Sequence, residues 1–463
     1  MTIPTPDSLH RTLKLELDEG RARSVEEARR LVERYRLQIV AGSAIAGSRT
    51  LQAALLTAVA AGARAFPGGV LVVAEKDPVL SVRWASDLRL TDAVLRFGGQ
   101  VVTAPDKSAP VLRIGTPPDA APSHEIDLTL TWEGWAAGLV PTGEPRLAES
   151  REFPLSGVAA ASLAVFELFQ HARGDSRAGR RALGISLWEP DVPWQHPTAV
   201  GEACEVLPTK LWLIGLGHLG QAYGWGLGML PYANPAEVVL TLQDTDSVVE
   251  ANVSTGLLSE LGDIGIPKTR VVGRRLEAAG FTTRLIERAF DEDTHPRDGD
   301  PSWALGGLDN REARRWAASA GFSRYIDAGI GDTADTYYDV LVQSFPSEQT
   351  VDRAFPPPAA PRAMVVAPAY DDLVAHGVRA GKTEAEARCG VIAIAGRAVG
   401  ASFVGTATAA LVLAQLLREL NTGDACAEVI SFNLRSPEFA ERVANSQEAG
   451  ANPGFTNDLV PTD

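Results

Sequence analysis

Cysteine is scarce: Cys204, Cys389 and Cys426 stand alone in a chain of 463 residues. Thiols so scattered assemble neither a disulfide framework nor a paired-cysteine zinc site, which predicts a reducing, cytoplasmic setting. Positive charge is also short, with 43 Lys and Arg against 58 Asp and Glu and a formal charge of -15. Binding a phosphate backbone needs clustered cations, so the expectation is no nucleic-acid partner but a small molecule or another protein. Long uncharged apolar runs are missing as well. The opening "MTIPTPDSLHRTLKLELDEG" has no apolar signal core, and Arg397 interrupts the apolar stretch 391–420. That stretch predicts a buried helix pair, with no membrane span. What remains is the composition of a globular protein, 45% hydrophobic and 22% charged, long enough for two or three domains.

The stretch "LWLIGLGHLGQAYGWGLGML" at 211–230 reads as a buried strand, a glycine turn and the start of a helix. It leads to "AEVVLTLQDTD", where a β-rich run ends in acids, and the two make one βαβ unit. A helix in "TRVVGRRLEAAG", a strand in "FTTRLIERAF" and another in "RYIDAGI" follow. This alternation predicts an α/β fold, a parallel sheet with helices on both faces. The first 200 residues repeat the plan in degraded form. "IVAGSAIAG" keeps the shape of "LIGLGHLG" with scrambled glycine spacing, and "FPLSGVAAASLAVFELFQHAR" echoes "SFVGTATAALVLAQLLREL", with Gly157 matching Gly405.

Gly215, Gly217 and Gly220 form GxGxxG between a strand and a helix, where glycine lets a phosphate approach the amides at the helix start. Alone, the motif favours NAD or FAD, with Asp244 on the ribose. The downstream residues point elsewhere. Asp244 and Asp246 are followed by Asn252, then Lys268, then Asp309 and Asn310. Singly, each has a plain reading: Asn252 a helix cap, Lys268 a surface charge, Asp309 and Asn310 a turn. In this order they supply what cleavage of ATP between its α- and β-phosphates requires: a ribose acid, a polar amide and a lysine for the phosphates, and a carboxylate for magnesium.

The chain here resembles the ThiF, MoeB and ubiquitin-activating enzymes, well over about residues 205–435 and faintly over 30–175. Their pattern of GxGxxG, DxDxVxxxN, lysine and DN followed by arginine is matched by Gly215, Gly217, Gly220, Asp244, Asp246, Asn252, Lys268, Asp309, Asn310 and Arg314. The resemblance implies two Rossmann-like ThiF-type domains in tandem as a pseudo-dimer, the N-terminal one degenerate. It further implies ATP and Mg2+ as cofactors, Asp309 as the metal carboxylate and Lys268 as the phosphate lysine. The substrate would be the C-terminal glycine of a ubiquitin-like protein, with an E2-like conjugating enzyme as the next partner. One departure stands out: Thr255 occupies the place where the family carries an arginine. Arg34 or Arg36, just before the first strand, is the candidate for an arginine contributed by the other half. Such fused, zinc-less chains resemble the activating component of bacterial ubiquitin-like conjugation operons, antiphage ones included.

Cys389 follows a long irregular segment at the place where ubiquitin-activating relatives carry a thioester-forming cysteine. A helix end beside Arg388 would favour the thiolate, whereas the alternative is a buried apolar thiol. The expected organisation is a degenerate domain at 1–180, a linker at 181–205, an active domain at 206–343 and 390–440, a crossover and cysteine region at 344–389, and a tail at 441–463. Two other activities use parts of the same pattern. A sulfur-carrier adenylyltransferase would form no thioester, and a NAD-dependent oxidoreductase would use only the glycine turn.

Overall fold

The β-rich apolar runs become the inner strands of two sheets in tandem in this computed structural model, which describes residues 5–357, 366–450, 452 and 454–461. Residues 358–365 of the expected crossover region lie outside the described residues. In the first sheet, Gly99–Val101, Val70–Ala74, Leu37–Ala41, Val111–Ile114 and Asp127–Glu133 run parallel, in that spatial order. Ala136–Pro141 and Leu183–Ser186 extend it antiparallel. The second sheet repeats this order. Thr282–Ile286, Val239–Gln243, Lys210–Ile214, Trp303–Gly306 and Arg324–Ile330 are parallel. Asp339–Phe345, Val429–Asn433 and Glu441–Val443 follow antiparallel.

The expected strands therefore form, but each sheet is mixed. A purely parallel sheet needs a helical crossover before every strand, whereas Gly134 and Trp135 join Asp127–Glu133 to Ala136–Pro141 as a hairpin, Gly134 taking φ +52°. Strand Leu183–Ser186 falls inside the segment expected to be linker. The helix Glu384–Ala395 likewise runs through the expected boundary at 390. The tail returns to the active half, pairing Phe455–Thr456 with Leu207–Pro208.

Two long helices, Pro154–Ala172 and Ser402–Thr422, lie at the centre. Proline preset at the first turn starts one, and Gly423 at φ +78° ends the other. Both are long and apolar enough to cross a membrane, but 89% and 94% of their apolar windows are buried inside the molecule. They are core helices, and the Ser162 and Thr406 hydroxyls meet between them at 2.7 Å.

The glycines that betrayed the repeat have equivalent jobs. A Cβ on Gly157 would lie 2.1 Å from the Thr50 carbonyl oxygen, at the start of helix Arg49–Ala65. One on Gly405 would lie 2.4 Å from His218 Nε2, at the start of helix His218–Met229. Each lets a central helix press against the first turn of the helix that follows its half's first strand. Across the halves Trp84 stacks on Trp225, centroids 5.5 Å apart, and its indole N–H donates to the Trp225 carbonyl at 2.8 Å. Arg64 reaches over to donate to the carbonyls of Gly256 and Leu257 at 2.7 and 2.9 Å.

Candidate functional site

The order of the second sheet reverses between Lys210–Ile214 and Trp303–Gly306, and the carboxyl ends of strands at such a switch point form a crevice. Ile214 pairs with Gln243 on one side and Gly306 on the other, so Gly215, Asp244 and Gly307 emerge together. Gly215 turns the chain at φ +83°, and a Cβ there would lie 2.8 Å from the Gly307 carbonyl oxygen. A Cβ on Gly220 would come 1.9 Å from the Gly215 carbonyl oxygen. Gly217 is different: nothing lies within 4 Å of where its side chain would project. It precedes helix His218–Met229 with no side chain capping the helix start. Two glycines close the turn, and the third leaves the uncapped amides open to an anion.

The acids and the lysine line the same edge. Asp244 accepts the Leu216 N–H at 2.6 Å and the Asp246 N–H at 2.7 Å, so the turn and the next strand end are tied through one carboxylate. Lys268, buried, opens helix Lys268–Ala278 and donates to the exposed Asp246 carboxylate at 2.7 Å. Asn252 spends its side-chain oxygen on the Val249 N–H at 3.0 Å, capping the short helix Glu250–Val253. Asn310 caps helix Arg311–Ser319, accepting from the Glu312 and Ala313 N–H groups at 2.8 and 3.2 Å. Beside it Asp309 is exposed and, among the described residues, forms no ion pair or hydrogen bond.

Three expectations change. Arg314 matches the family pattern in sequence, but it is locked bidentately on the buried Asp327 and lies over the Phe355 ring, so its charge serves the fold. Arg36 lies at the amino-terminal edge of the first sheet, its stem over Gly68, because a residue preceding a parallel strand emerges opposite the carboxyl edge. The first half reaches helix Glu250–Val253 instead through its N-terminal segment, where the Arg11 backbone N–H donates to Ser254 Oγ at 3.2 Å. Cys389 lies in the middle of helix Glu384–Ala395, and Arg388 is paired with Glu384 at 2.8 Å. The helix end and free cation expected to favour its thiolate are both absent, although the thiol is exposed. Burial pushes the Cys204 thiol up to about 12, and Cys426 is buried, donating to Glu419 at 2.6 Å.

His218 carried no sequence signal. It is the first residue of the turn helix, its Nε2 is buried with no partner among the described residues, and burial lowers its pKa to about 4. The ring stays neutral at the mouth of the turn.

The first half shows why it is the degenerate one. Its Ser43 N–H donates to Glu75 at 3.0 Å, the counterpart of Leu216 and Asp244. At the start of helix Arg49–Ala65, however, Ser48 Oγ accepts the Leu51 N–H at 3.1 Å and Glu152 accepts the Thr50 N–H at 2.7 Å. A carboxylate of the chain itself occupies the anion position.

Two Rossmann-like halves in tandem, one with an open glycine turn and one with its turn stopped by a carboxylate, are the architecture of an E1-like pseudo-dimer. The families described as the BilD C-terminal domain and the BilD N-terminal domain match residues 207–423 and 36–187. The bacterial E1-like protein BilD of Collimonas sp. (strain OK412) is 36% identical over 423 residues, 90% of each chain. The chain belongs to the BilD family of bacterial E1-like proteins. Crystal structures of E. coli MccB with succinimide and of E. coli MccB are similar at 13% identity, with TM-scores of 0.33 and 0.34. They align with 51% and 52% of this chain, and the matched region spans 64% of each MccB chain.

Proposed function

We propose that the protein uses ATP to adenylate the C-terminal glycine of a ubiquitin-like protein. The observation that carries this reading is the open, uncapped turn at Gly217 with Lys268 and the unpaired Asp309 on the same sheet edge. The carrier's carboxylate attacks the α-phosphate and pyrophosphate leaves. That nucleophile is already ionised near neutral pH, so no general base is needed. Catalysis is positioning and charge neutralisation by the turn amides and Lys268. Asp244 takes the ribose hydroxyls, and Asn252 and Asn310 hold the loops around the phosphates. Among the described residues no three or more His, Cys, Asp or Glu side chains cluster as a metal cage. Magnesium would be held here by the Asp309 carboxylate and would neutralise phosphate charge.

The adenylate is then passed to Cys389 as a thioester and on to an E2-like enzyme, in the cytoplasm and as part of a conjugation operon with an antiphage role. Arg388 being spent on Glu384 favours, as a second reading, a sulfur-carrier adenylyltransferase that stops at the adenylate. One measurement tests ATP use and a second separates these two readings. Asp309→Ala should abolish magnesium-dependent ATP binding with the fold intact, and tight NAD binding with ATP silent would overturn the reading. Cys389→Ala should keep carrier-dependent pyrophosphate exchange while losing a reductant-sensitive, carrier-sized shift on a non-reducing gel. If the shift persists in that variant, Cys389 is not the acceptor.

A further inference from the structure

Three distant stretches meet beside helix Glu250–Val253. The Asp7 carbonyl accepts the Ala251 N–H at 2.7 Å, and the Arg11 backbone N–H donates to Ser254 Oγ. Arg397 donates to the Asp7 carboxylate at 3.1 Å. Three residues further on, a Cβ at Gly400 would lie 3.3 Å from Thr255 Cγ2 and 3.7 Å from His218 Nδ1. The segment after helix Glu384–Ala395 therefore runs against the first residue of the turn helix, with Arg397 at its approach.

The charges there do not balance. Arg11 has no ion pair among the described residues, and its Nη1 is buried without an acceptor. Burial and the facing Arg397 hold its pKa below the ordinary arginine value. Asp18, the other acid nearby, is bonded to Lys14 at 2.5 Å and to the Tyr370 hydroxyl at 2.6 Å. Asp7, 56% exposed, is thus held by Arg397, 53% exposed, while Arg11 lies near both without an ion pair among the described residues. A buried guanidinium nitrogen without an acceptor is costly, and an exposed Arg–carboxylate pair is weak. An arriving phosphate relieves the first and outcompetes the second, since guanidinium binds phosphate bidentately.

We propose that Arg397 is a phosphate-binding residue, turning from Asp7 to the terminal phosphates of the nucleotide beside Arg11. This rests on reading the second half as an ATP site. The segment that carries Arg397 packs at Gly400 against Thr255 and His218, so its guanidinium would meet the outer phosphates of a nucleotide whose α-phosphate and ribose were taken by the turn and Asp244. Arg397 therefore acts on triphosphate and not on monophosphate. Asp7 competes with the ligand, so removing its charge has the opposite effect.

Calorimetric titration of the full chain with Mg-ATP and, separately, with AMP tests this. Arg397→Ala should weaken Mg-ATP about tenfold and leave AMP unchanged, as expected for loss of one charge-assisted contact. Asp7→Asn should tighten Mg-ATP severalfold with AMP unchanged. If Arg397 only braces the N-terminal helix, both variants move both ligands alike, or neither, and the proposal falls. A wild-type chain that prefers NAD to Mg-ATP would instead overturn the underlying reading, and the proposal with it.

Discussion

Lys268 is held ready rather than free. Its ammonium is buried against the sheet edge and bonded to Asp246, so it spends little conformational freedom when a phosphate arrives. Lys268→Ala should slow carrier-dependent adenylation about a hundredfold or more, equivalent to about 3 kcal/mol. An unchanged exchange rate would make the lysine a brace for Asp246 only. His218 gives a second expectation. Its folded pKa, about 4, lies below its unfolded value of 6.5. The unfolded chain therefore binds more protons between these values, and stability falls as pH drops through that window. The loss amounts to about 3 kcal/mol by pH 4. His218→Gln should flatten this part of the stability profile, measured as denaturation midpoint against pH. An unaltered profile would assign the acid sensitivity elsewhere, His10 being the other histidine that burial lowers to about 4.

At the scale of elements, the glycine turn was legible because Gly215 and Gly220 leave no room for a side chain and their spacing with Gly217 marks the strand-to-helix turn. Gly220→Ala should disrupt the strand-to-helix turn, since its Cβ would overlap the Gly215 carbonyl, and should destabilise by about 1–3 kcal/mol. Retained stability with unaltered nucleotide binding would show that the turn relaxes freely. The cap reading of Asn252 is what its bond shows, and Asn310, read as part of a turn, also caps a helix. Strand Leu183–Ser186 was hidden because four residues carry no periodicity, and the stretch around it is rich in glycine, proline and charge. Arg11 was hidden for another reason. Its partner Ser254 lies 243 residues away, and no local pattern marks a contact at that range. Cys389 shows the converse error: sequence position put a cation beside the thiol, but the helix turns Arg388 towards Glu384 one turn back.

At the scale of the whole molecule the two halves repeat one sheet order, and their asymmetry lies in what occupies each helix start. The repeat was readable from Gly157 and Gly405 because close helix approach demands glycine in both halves. The carboxylate at the helix start of the first half was not, because Glu152 reaches Thr50 from 102 residues away. The stacked Trp84 and Trp225 couple the halves, with Trp84 buried and its N–H bonded across the interface. Trp84→Ala should cost about 3–5 kcal/mol and lower a single unfolding transition, read by calorimetry. Two separate transitions in the wild-type chain would show that the halves fold independently.

The central claim is that the second half binds ATP and the first does not. Titration of the full chain with ATP and magnesium, with NAD as the comparison, tests it most directly. The account predicts one ATP bound per chain, lost in Asp309→Ala, and no heat with NAD. Two ATP sites per chain, or NAD bound with ATP silent, would contradict it.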